Sequence, residues 1–494
     1  MSETRRTARN AGWVVIQRGL HVVTAAIFGV FVPRLMGPQA FGQYVLLTSV
    51  AMWFGMLTGV GAVSLMPRVV PQFMARNDHS GLRKLVSSLV LLRASTGLLV
   101  GMTYFAIITM LAGEIDRVVV VLIASAVFCR TISNVCFSLF LGLNRAARWG
   151  LGELVRHVLT LVGVAIGYPI AGLRGACVGV LAANIVVLVA GFVVARPYLR
   201  WSAVDLRREY LAPFLKIGTS FAAGNLLLAF GQRTGETIVR MASRDYAQVG
   251  FFGAAYAGYF NGASVLWQSA LAFGPLLVGF QHRGDAAGVS LWLERLLKWM
   301  TVVAALVSLA TVLVAGDLVP RLLGQAYAPV TASLPPLALA LFAIAACSVG
   351  RLGALAADRP WLSAGAAAAE VVVYWATGLL LIPRYGAEGM AWAVLCGTAT
   401  YGAVITWRMR DAVRYSPRAA IEAGALVVPW LLLSFVRGGA LFNAALLVLA
   451  TAGYLTLLWW RGIIMMGELR SLGEIVRGVG ESTASSEALS VPTG

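Results

Sequence analysis

Five arginines stand inside long apolar stretches of the sequence: Arg18, Arg93, Arg130, Arg156 and Arg351. A guanidinium group stays charged in proteins and can grip a phosphate or carboxylate through two parallel hydrogen bonds. At the centre of a bilayer each arginine costs about 2.5–3.5 kcal/mol on insertion scales. We therefore expect these arginines to face a water-filled interior, where they would form a binding site for an anion such as pyrophosphate.

Arg130 is predicted to be the deepest of the five. It lies about 12 residues from either end of its apolar stretch, which is roughly 18 Å at 1.5 Å per helical residue. Arg18 and Arg93 lie roughly 10–12 Å deep on the same scale. Arg156 and Arg351 are closer to the ends of their stretches and can extend toward the headgroups. The alternative role for each arginine is structural, as a cap on helix carbonyls or a partner of a carboxylate.

Carboxylates in apolar surroundings form a second candidate set. Glu236 lies near the end of the seventh apolar stretch, spaced to pair with Arg233 or Arg240, and Glu370 lies near the middle of the eleventh. A buried carboxylate can exchange a proton or bind a cation during coupled transport. These four residues and His21 are therefore candidates for ion coupling or gating, with structural ion pairs as the alternative.

Fourteen apolar stretches carry these residues, and most are long enough to cross a bilayer as a helix. They cover residues 11–33, 40–66, 85–112, 118–141, 150–171, 174–195, 213–241, 246–277, 291–315, 330–357, 361–383, 386–407, 418–436 and 440–460. The chain is 59% hydrophobic and 12% charged, whereas soluble chains are about 45–50% apolar and 25% charged. This composition excludes a soluble enzyme, a disulfide-stapled secreted domain and a disordered chain. The stretches do not alternate apolar and polar residues, so an outer-membrane barrel is also disfavoured.

The excess of basic residues predicts an orientation in the membrane. The 494-residue chain has 39 Lys and Arg against 21 Asp and Glu, a net charge of +18. With both termini inside, about 25 basic residues fall in inner segments and about 9 in outer loops, as expected for a multi-pass protein with cytoplasmic termini. No long basic surface interleaved with aromatic residues is present, so nucleic acid is not an expected partner.

The sequence predicts neither a cofactor nor a metal site. The five cysteines lie inside apolar stretches without a C-x-x-C pair, and the four histidines are scattered. Neither an ATP-binding G-x-x-x-x-G-K-[ST] motif nor a G-x-S-x-G nucleophile motif occurs. No loop is long enough for a catalytic domain. A transporter is therefore favoured over an enzyme, such as a membrane polysaccharide polymerase, and over a non-transporting scaffold.

An internal repeat divides the chain at an offset of about 210 residues. Segment 39–44 corresponds to 247–252, segment 143–149 to 356–361, and segment 171–176 to 385–390. Each half holds six stretches, an even number, so the halves share one orientation. Parallel repeats of this kind are a transporter architecture, with the substrate site between the halves.

The predicted fold is therefore an all-α integral membrane protein of about 14 transmembrane helices. An N-terminal six-helix bundle occupies residues 1–196 and a cytoplasmic linker 197–212. A second six-helix bundle, related to the first by a pseudo-twofold axis, occupies 213–410. Two further transmembrane helices lie in 411–460, and residues 461–494 form a cytoplasmic tail.

Three segments resemble the motifs of one known family. Residues 34–44, RLMGPQAFGQY, are similar to the R-x-L-G-P-x-x-F-G-x-Y segment of bacterial polysaccharide flippases. Residues 323–329 and 381–389 are similar to other marks of that family. Over about residues 8–460 the chain thus resembles the Wzx-type oligosaccharide flippases of the multidrug/oligosaccharidyl-lipid/polysaccharide (MOP) exporter superfamily, which also contains the multidrug MATE transporters.

The resemblance implies a V-shaped, alternating-access transporter with a cationic central cavity. It implies that undecaprenyl-pyrophosphate-linked oligosaccharide moves from the cytoplasmic to the periplasmic leaflet of the bacterial inner membrane, for O-antigen, exopolysaccharide or capsule synthesis. A polysaccharide polymerase and chain-length proteins are candidate partners. The alternatives are a flippase for the peptidoglycan precursor lipid II and a MATE-like drug or cation antiporter, whose cavity should be acidic.

Overall fold

The computed structural model describes residues 3–58, 62–214, 230–231, 233–357, 359, 361–410, 415–433 and 438–464. Within helices, the side chains of residues 3–18, 21–22, 56–58, 62–64, 146, 272 and 275 lie outside this description. The regular secondary structure of the described residues is helical throughout. The predicted all-α fold is thus confirmed.

The N-terminal half contains five helical stretches: α1 (Glu3–Thr58), α2 (Ala62–Ala75), α3 (His79–Leu111), α4 (Arg117–Gly142) and α5 (Ala146–Ala195). Two of them are hairpins. The chain reverses in α1 at Gly37, with φ of 73°, and in α5 at Gly172, with φ of 56°. Glycine adopts this left-handed conformation without the steric cost that a side chain would add. Each hairpin therefore supplies two of the predicted spans.

Glycines also hold the two arms of α5 together. A Cβ atom on Gly163 would lie 2.8 Å from the Cα atom of Gly179, and one on Gly167 would overlap the carbonyl group of Gly175. Small residues spaced four apart allow helix backbones to approach this closely in a membrane. The arms are therefore packed backbone to backbone, without intervening side chains.

The C-terminal half contains α6 (Gly235–Ser243), α7 (Tyr246–Ala272), α8 (Gly274–His282), α9 (Ala286–Leu323), α10 (Val330–Ala356), α11 (Trp361–Met409), α12 (Arg418–Leu432) and α13 (Ala440–Trp460). The chain reverses within α11 at Gly386, with φ of 56°. Gly172 and Gly386 both lie in the repeat segments 171–176 and 385–390, so the two bends occupy corresponding positions.

Eight of the described helices are long and apolar enough to cross a membrane. Two of these, α5 and α11, contain a reversal and so supply two crossings each. The described helices follow the order of the fourteen predicted spans, with α6 covering only the end of the seventh. The chain is a multi-pass membrane protein.

One end of the molecule carries the three glycine bends, at Gly37, Gly172 and Gly386, and we call it the hairpin end. The opposite end carries the linker after α5, and we call it the linker end. This linker packs on α3, where the Ser87 hydroxyl accepts a hydrogen bond of 2.7 Å from the amide of Arg200.

The two halves meet at the hairpin end, through α7 and the second arm of α1. A Cβ atom on Gly42 would overlap the Tyr246 carbonyl group, and one on Gly250 would overlap the carbonyl oxygen of Pro38. Val45 packs against Gly253 one turn further along. The buried cluster around these residues includes side chains of both halves, so the halves share one core here.

The helices α12 and α13 pack against α9 in a separate apolar cluster that contains Leu309, Val427 and Tyr454. The buried Lys298 ammonium group of α9 donates a hydrogen bond of 2.9 Å to the carbonyl oxygen of Ile463, just beyond α13. The last two helices are thereby attached to the C-terminal half. Residues 465–494 of the predicted tail lie outside the described part of the chain.

Candidate functional site

Arg130 lies near the middle of α4 and is half-buried. Its guanidinium group makes no hydrogen bond or ion pair with another described residue, although it lies within electrostatic range of Glu153 and Arg156 on α5. A partly accessible arginine at mid-helix, with no dedicated protein partner in the described ranges, is available to an anionic ligand.

Arg156 has the structural role that the sequence left open. Its side chain is 4% exposed and its Nη1 donates to Oε1 of Glu153, 2.9 Å away. The same nitrogen donates to the Asn134 side chain at 3.2 Å, and Nη2 donates to the Ser133 hydroxyl at 2.9 Å. The pair on α5 is thereby tied to α4. Because Ser133 and Asn134 lie one turn from Arg130 on α4, this network fixes the helix face that carries Arg130.

The surroundings of Arg130 are electropositive. Glu153 interacts electrostatically with Arg156, Arg130 and His157, so one carboxylate faces two arginines and a histidine. Arg93, on α3 in the same half, is buried with 6% exposure. Four of the five predicted arginines belong to the N-terminal half, and the structure describes the side chains of three of them, Arg93, Arg130 and Arg156.

Two predicted site residues fall outside what the structure describes. The backbone of Arg18 and His21 belongs to α1, but their side chains are outside the described residues. Their predicted roles in anion binding and ion coupling therefore stay predictions.

Arg351 is not part of the N-terminal arginine group. It lines a cavity of about 330 Å³ in the C-terminal half, between α7, α10 and α11. Its guanidinium group stacks on the ring of Trp267, 3.8 Å from the centroid. Glu370, 7% exposed, lines the same cavity and forms no salt bridge with Arg351. The cavity therefore combines one cation and one anion, set in a wall of aromatic side chains.

Of the three predicted residues around α6, Glu236 and Arg233 lie within electrostatic range of each other, whereas Arg240 pairs elsewhere. Glu236 is 6% exposed, and its Oε2 has no hydrogen-bond partner in the described part of the chain. The guanidinium group of Arg233 lies over the Phe260 ring, 4.1 Å from the centroid. Arg240 pairs with Glu114, which lies in the loop between α3 and α4 of the other half. The spacing that suggested a pair between Glu236 and Arg240 is therefore not used in this way.

Further links between the halves surround the Arg240–Glu114 pair at the hairpin end. The Tyr327 hydroxyl donates to the carbonyl oxygen of Pro33 at 2.9 Å. Arg34 donates to the carbonyl oxygens of Arg321 and Leu322, at 3.4 and 3.5 Å, near the end of α9. We call these contacts and the Arg240–Glu114 pair the hairpin-end latch.

In the sequence, Arg34 and Tyr327 stand out only as members of motifs, and Glu114 does not stand out at all. The two motif residues carried a signal, because each lies in a segment matched to the flippase family. Glu114 stands in a short loop and had no such signal. Its partner is 126 positions away in the chain, so only the packing of the halves reveals the pair.

Among the described residues, no group of three or more histidine, cysteine, aspartate and glutamate side chains could hold a metal ion. The five cysteines are free, and four of them are buried. The candidate site within the described ranges is thus built from arginines, two isolated carboxylates and aromatic rings.

Comparison with known proteins shows the fold. No family model and no curated protein sequence matches the chain. An inward-facing multidrug MATE transporter of the MOP superfamily aligns with a TM-score of 0.68 and 16% identity, over 80% of this chain and 94% of that one. The lipid II flippase MurJ, in an inward closed conformation, aligns with a TM-score of 0.71 and 10% identity, over 92% of this chain and 100% of that one. A MOP-superfamily transporter from Pyrococcus furiosus, whose binding pocket is described as having reversed polarity, aligns with a TM-score of 0.56 and 14% identity, over 83% and 96%. The chain therefore has the fold of MOP-superfamily transporters.

Proposed function

We propose that this protein is a flippase that moves undecaprenyl-pyrophosphate-linked oligosaccharide from the cytoplasmic to the periplasmic leaflet of the bacterial inner membrane. The observation that carries the proposal is Arg130, a half-buried cation at mid-helix whose guanidinium group has no bonded partner in the described residues. A pyrophosphate group supplies the charge and the paired oxygens that a guanidinium group binds best. The cargo thus matches a feature of this interior that is costly to maintain without a ligand.

The arrangement of contacts supports transport by alternating access. The latch closes the hairpin end, which the distribution of basic residues assigns to the periplasmic side. The pyrophosphate would enter between the halves from the cytoplasmic side and bind Arg130, with Arg93 and Arg18 as further candidate ligands. Release of the latch would then let the halves rock apart at the hairpin end, while the prenyl tail stays in the lipid.

Glu236 is the stronger candidate for ion coupling. It is buried in the first turn of α6 and has an oxygen without a hydrogen bond among the described residues. Such a carboxylate can take up a proton or a cation when the half that carries it changes its exposure. Glu370 shares its cavity with Arg351, and this neighbour opposes binding of a bare cation.

A flippase for lipid II is the second candidate, because both cargoes present an undecaprenyl pyrophosphate and the fold is shared with a lipid II flippase. A drug or cation antiporter is disfavoured by charge. Arg130 and Arg156 face a single carboxylate, Glu153, in the N-terminal half, and the resulting excess of positive charge repels a cationic substrate. If the cargo is the lipid-linked oligosaccharide, a polysaccharide polymerase and chain-length proteins are candidate partners of this protein.

The test is lipid extraction from a strain that lacks the protein, with wild type, Arg130→Ala and Arg130→Lys added back. We expect lipid-linked oligosaccharide to accumulate on the cytoplasmic face and only the wild type to relieve it, since lysine cannot bind pyrophosphate with two parallel hydrogen bonds. Arg418→Ala is the matched control, because Arg418 is exposed and pairs with the exposed Glu422. Accumulation of lipid II would favour the second candidate. Normal transport by Arg130→Ala would remove the assignment of Arg130.

A further inference from the structure

We propose that the cavity between α7, α10 and α11 binds a neutral, polyhydroxylated ring, that is, a sugar residue of the cargo. The link to the cargo rests on the proposed function. The binding itself can be measured independently of transport, because it requires neither the lipid nor the pyrophosphate.

The charges of the cavity select the class of ligand. Arg351 contributes one positive and Glu370 one negative charge, and they form no salt bridge with each other. A bare cation would be repelled by Arg351 and an anion by Glu370. A hydroxyl group can donate a hydrogen bond to the carboxylate or accept one from the guanidinium group. A neutral ligand with several hydroxyl groups therefore satisfies both side chains at once.

The buried polar groups of the cavity have the same requirement. Tyr259, Tyr374 and Tyr401 line the cavity, and their hydroxyl groups are buried. Thr398 lies beside the hydroxyl group of Tyr259 and Ser363 beside that of Tyr401, whereas that of Tyr374 has no hydrogen-bond partner in the described residues. All three side chains are at least nine-tenths buried. A buried hydroxyl group without a partner destabilises the fold. A ligand with several hydroxyl groups, such as a sugar, would supply the missing partner of Tyr374 and bind the neighbouring polar groups.

The aromatic wall provides the apolar contact that a sugar ring also needs. Trp267 lines the cavity, and stacking of Arg351 against it holds both side chains in place. Phe260 is held in the same way by Arg233. The C–H faces of a sugar ring can pack on such rigid aromatic surfaces while its hydroxyl groups reach the polar side chains.

The volume of the cavity is sufficient for a sugar ring. The cavity measures about 330 Å³, within the range of about 300–1,000 Å³ that is typical of small-molecule sites. The remaining sugars of a longer glycan would extend out of the cavity.

The position of the cavity gives the cargo two points of attachment. Arg130 belongs to the N-terminal half, whereas the cavity belongs wholly to the C-terminal half. A cargo held by its pyrophosphate on one half and by a sugar on the other would bridge them. Recognition of the glycan would then be coupled to the movement of the halves.

The first experiment measures saturation-transfer difference NMR with the purified full-length protein. The probes are methyl α-glycosides of glucose, galactose, mannose, rhamnose and N-acetylglucosamine. We expect at least one of them to give a saturable signal, with affinity weakened at least tenfold in Glu370→Gln and in Arg351→Met. The matched controls are Glu422→Gln and Arg418→Met, which alter an exposed pair on α12. Equal signals in the cavity variants and the controls, or no saturable signal for the wild type, would overturn the proposal.

A second experiment uses the wild type alone and so does not depend on the folding of a variant. Cys347 lines the cavity, whereas Cys396 does not, although it is more exposed. We expect a saturating glycoside to slow the alkylation of Cys347 at least threefold, measured by peptide mass spectrometry, and to leave Cys396 unchanged. Protection of Cys347 by sodium ions but by no glycoside would assign the cavity to a cation. No protection of Cys347 by either would indicate that the cavity holds only water. Either result contradicts the proposal.

The same sugar measurement on Arg130→Ala separates the two proposals. Arg130 lies in the other half, so this variant should bind the glycoside as the wild type does. Sugar binding together with normal transport by Arg130→Ala would remove the pyrophosphate assignment and keep the sugar site. If Arg130→Ala loses transport and the wild type binds no sugar, the pyrophosphate assignment is kept and the sugar site is removed.

Discussion

Gly42 and Gly250 pack against each other where the two halves meet, and they occupy corresponding positions of the internal repeat. A Cβ atom on Gly42 would lie 2.9 Å from the amide nitrogen of Gly250, and one on Gly250 would lie 3.2 Å from that of Gly42. A contact between equivalent residues lies close to the axis that relates the halves. The backbone approach at these two glycines is therefore a condition for closing the hairpin end.

Gly42→Val and Gly250→Val should each prevent this closure. The added side chain meets backbone atoms, which cannot move aside as a flexible side chain does. Overpacking of this kind costs about 1–3 kcal/mol, so we expect a lower unfolding temperature in detergent and loss of transport. Gly258→Val, on the same helix as Gly250, is the control because nothing lies within 4 Å of its added Cβ atom. Equal behaviour of all three variants would show that the glycine contact is not required.

Glu114→Gln should weaken the hairpin-end latch. The Arg240–Glu114 pair joins the halves, but the Glu114 side chain is 54% exposed. Exposed pairs contribute about 0.2–1 kcal/mol, so we expect up to about a fivefold shift toward the state open at the hairpin end. Spin labels at Ile170 and Tyr385, both exposed near the bends, would report this as a population with a longer distance. As a control, Glu422→Gln should leave the distance distribution unchanged. An unchanged distribution in Glu114→Gln would mean that the Arg240–Glu114 pair does not hold the halves together.

The distance between the spin labels at Ile170 and Tyr385 should depend on pH. The pKa of Glu114 is lowered from 4.5, first by the backbone amide of Glu114 itself and also by the Arg240 guanidinium group. In the latched state the pKa of Glu114 lies below its ordinary value, so the ionised carboxylate stabilises this state at any pH above the ordinary pKa. This stabilisation is lost as the pH falls through the lowered pKa. We expect constant distances from pH 8 to 5.5 and opening only below pH 4.5. Opening that begins above pH 5.5 would assign the transition to another group.

Substitution of Arg156 should destabilise the fold, whereas substitution of Arg130 should abolish transport without destabilising it. Arg156→Ala leaves Glu153 without its partner and removes the bonds to Ser133 and Asn134. Breaking a buried pair costs about 3–5 kcal/mol, and the 20% exposure of Glu153 reduces this toward about 2 kcal/mol. Arg130→Ala removes no such bond and should keep the unfolding temperature of the wild type while losing transport. Thermal unfolding in detergent, compared with the lipid accumulation assay, distinguishes them. A strongly destabilised Arg130→Ala would indicate a structural role for Arg130 instead.

The sequence by itself determined the all-α membrane fold, the order of the spans, the two corresponding halves and the positions of the bends. These features are local or periodic. A run of about 20 apolar residues must form a helix in lipid because its backbone groups have no other partners. Glycine segments such as 171–176 and 385–390 mark bends because they permit a left-handed conformation.

Only the tertiary structure decided which charged residues share a site. A helix that is apolar on every face gives no signal of its rotation about its own axis. The sequence could therefore not tell that Arg156 bonds to α4 while Arg130 pairs with none of the residues that the structure describes. It could not place Arg351 beside Glu370, or Arg240 beside Glu114 in the other half. Such pairs depend on distances between helices that are far apart in the chain, and these distances are set by the packing of small residues at contacts such as Gly42 and Gly250.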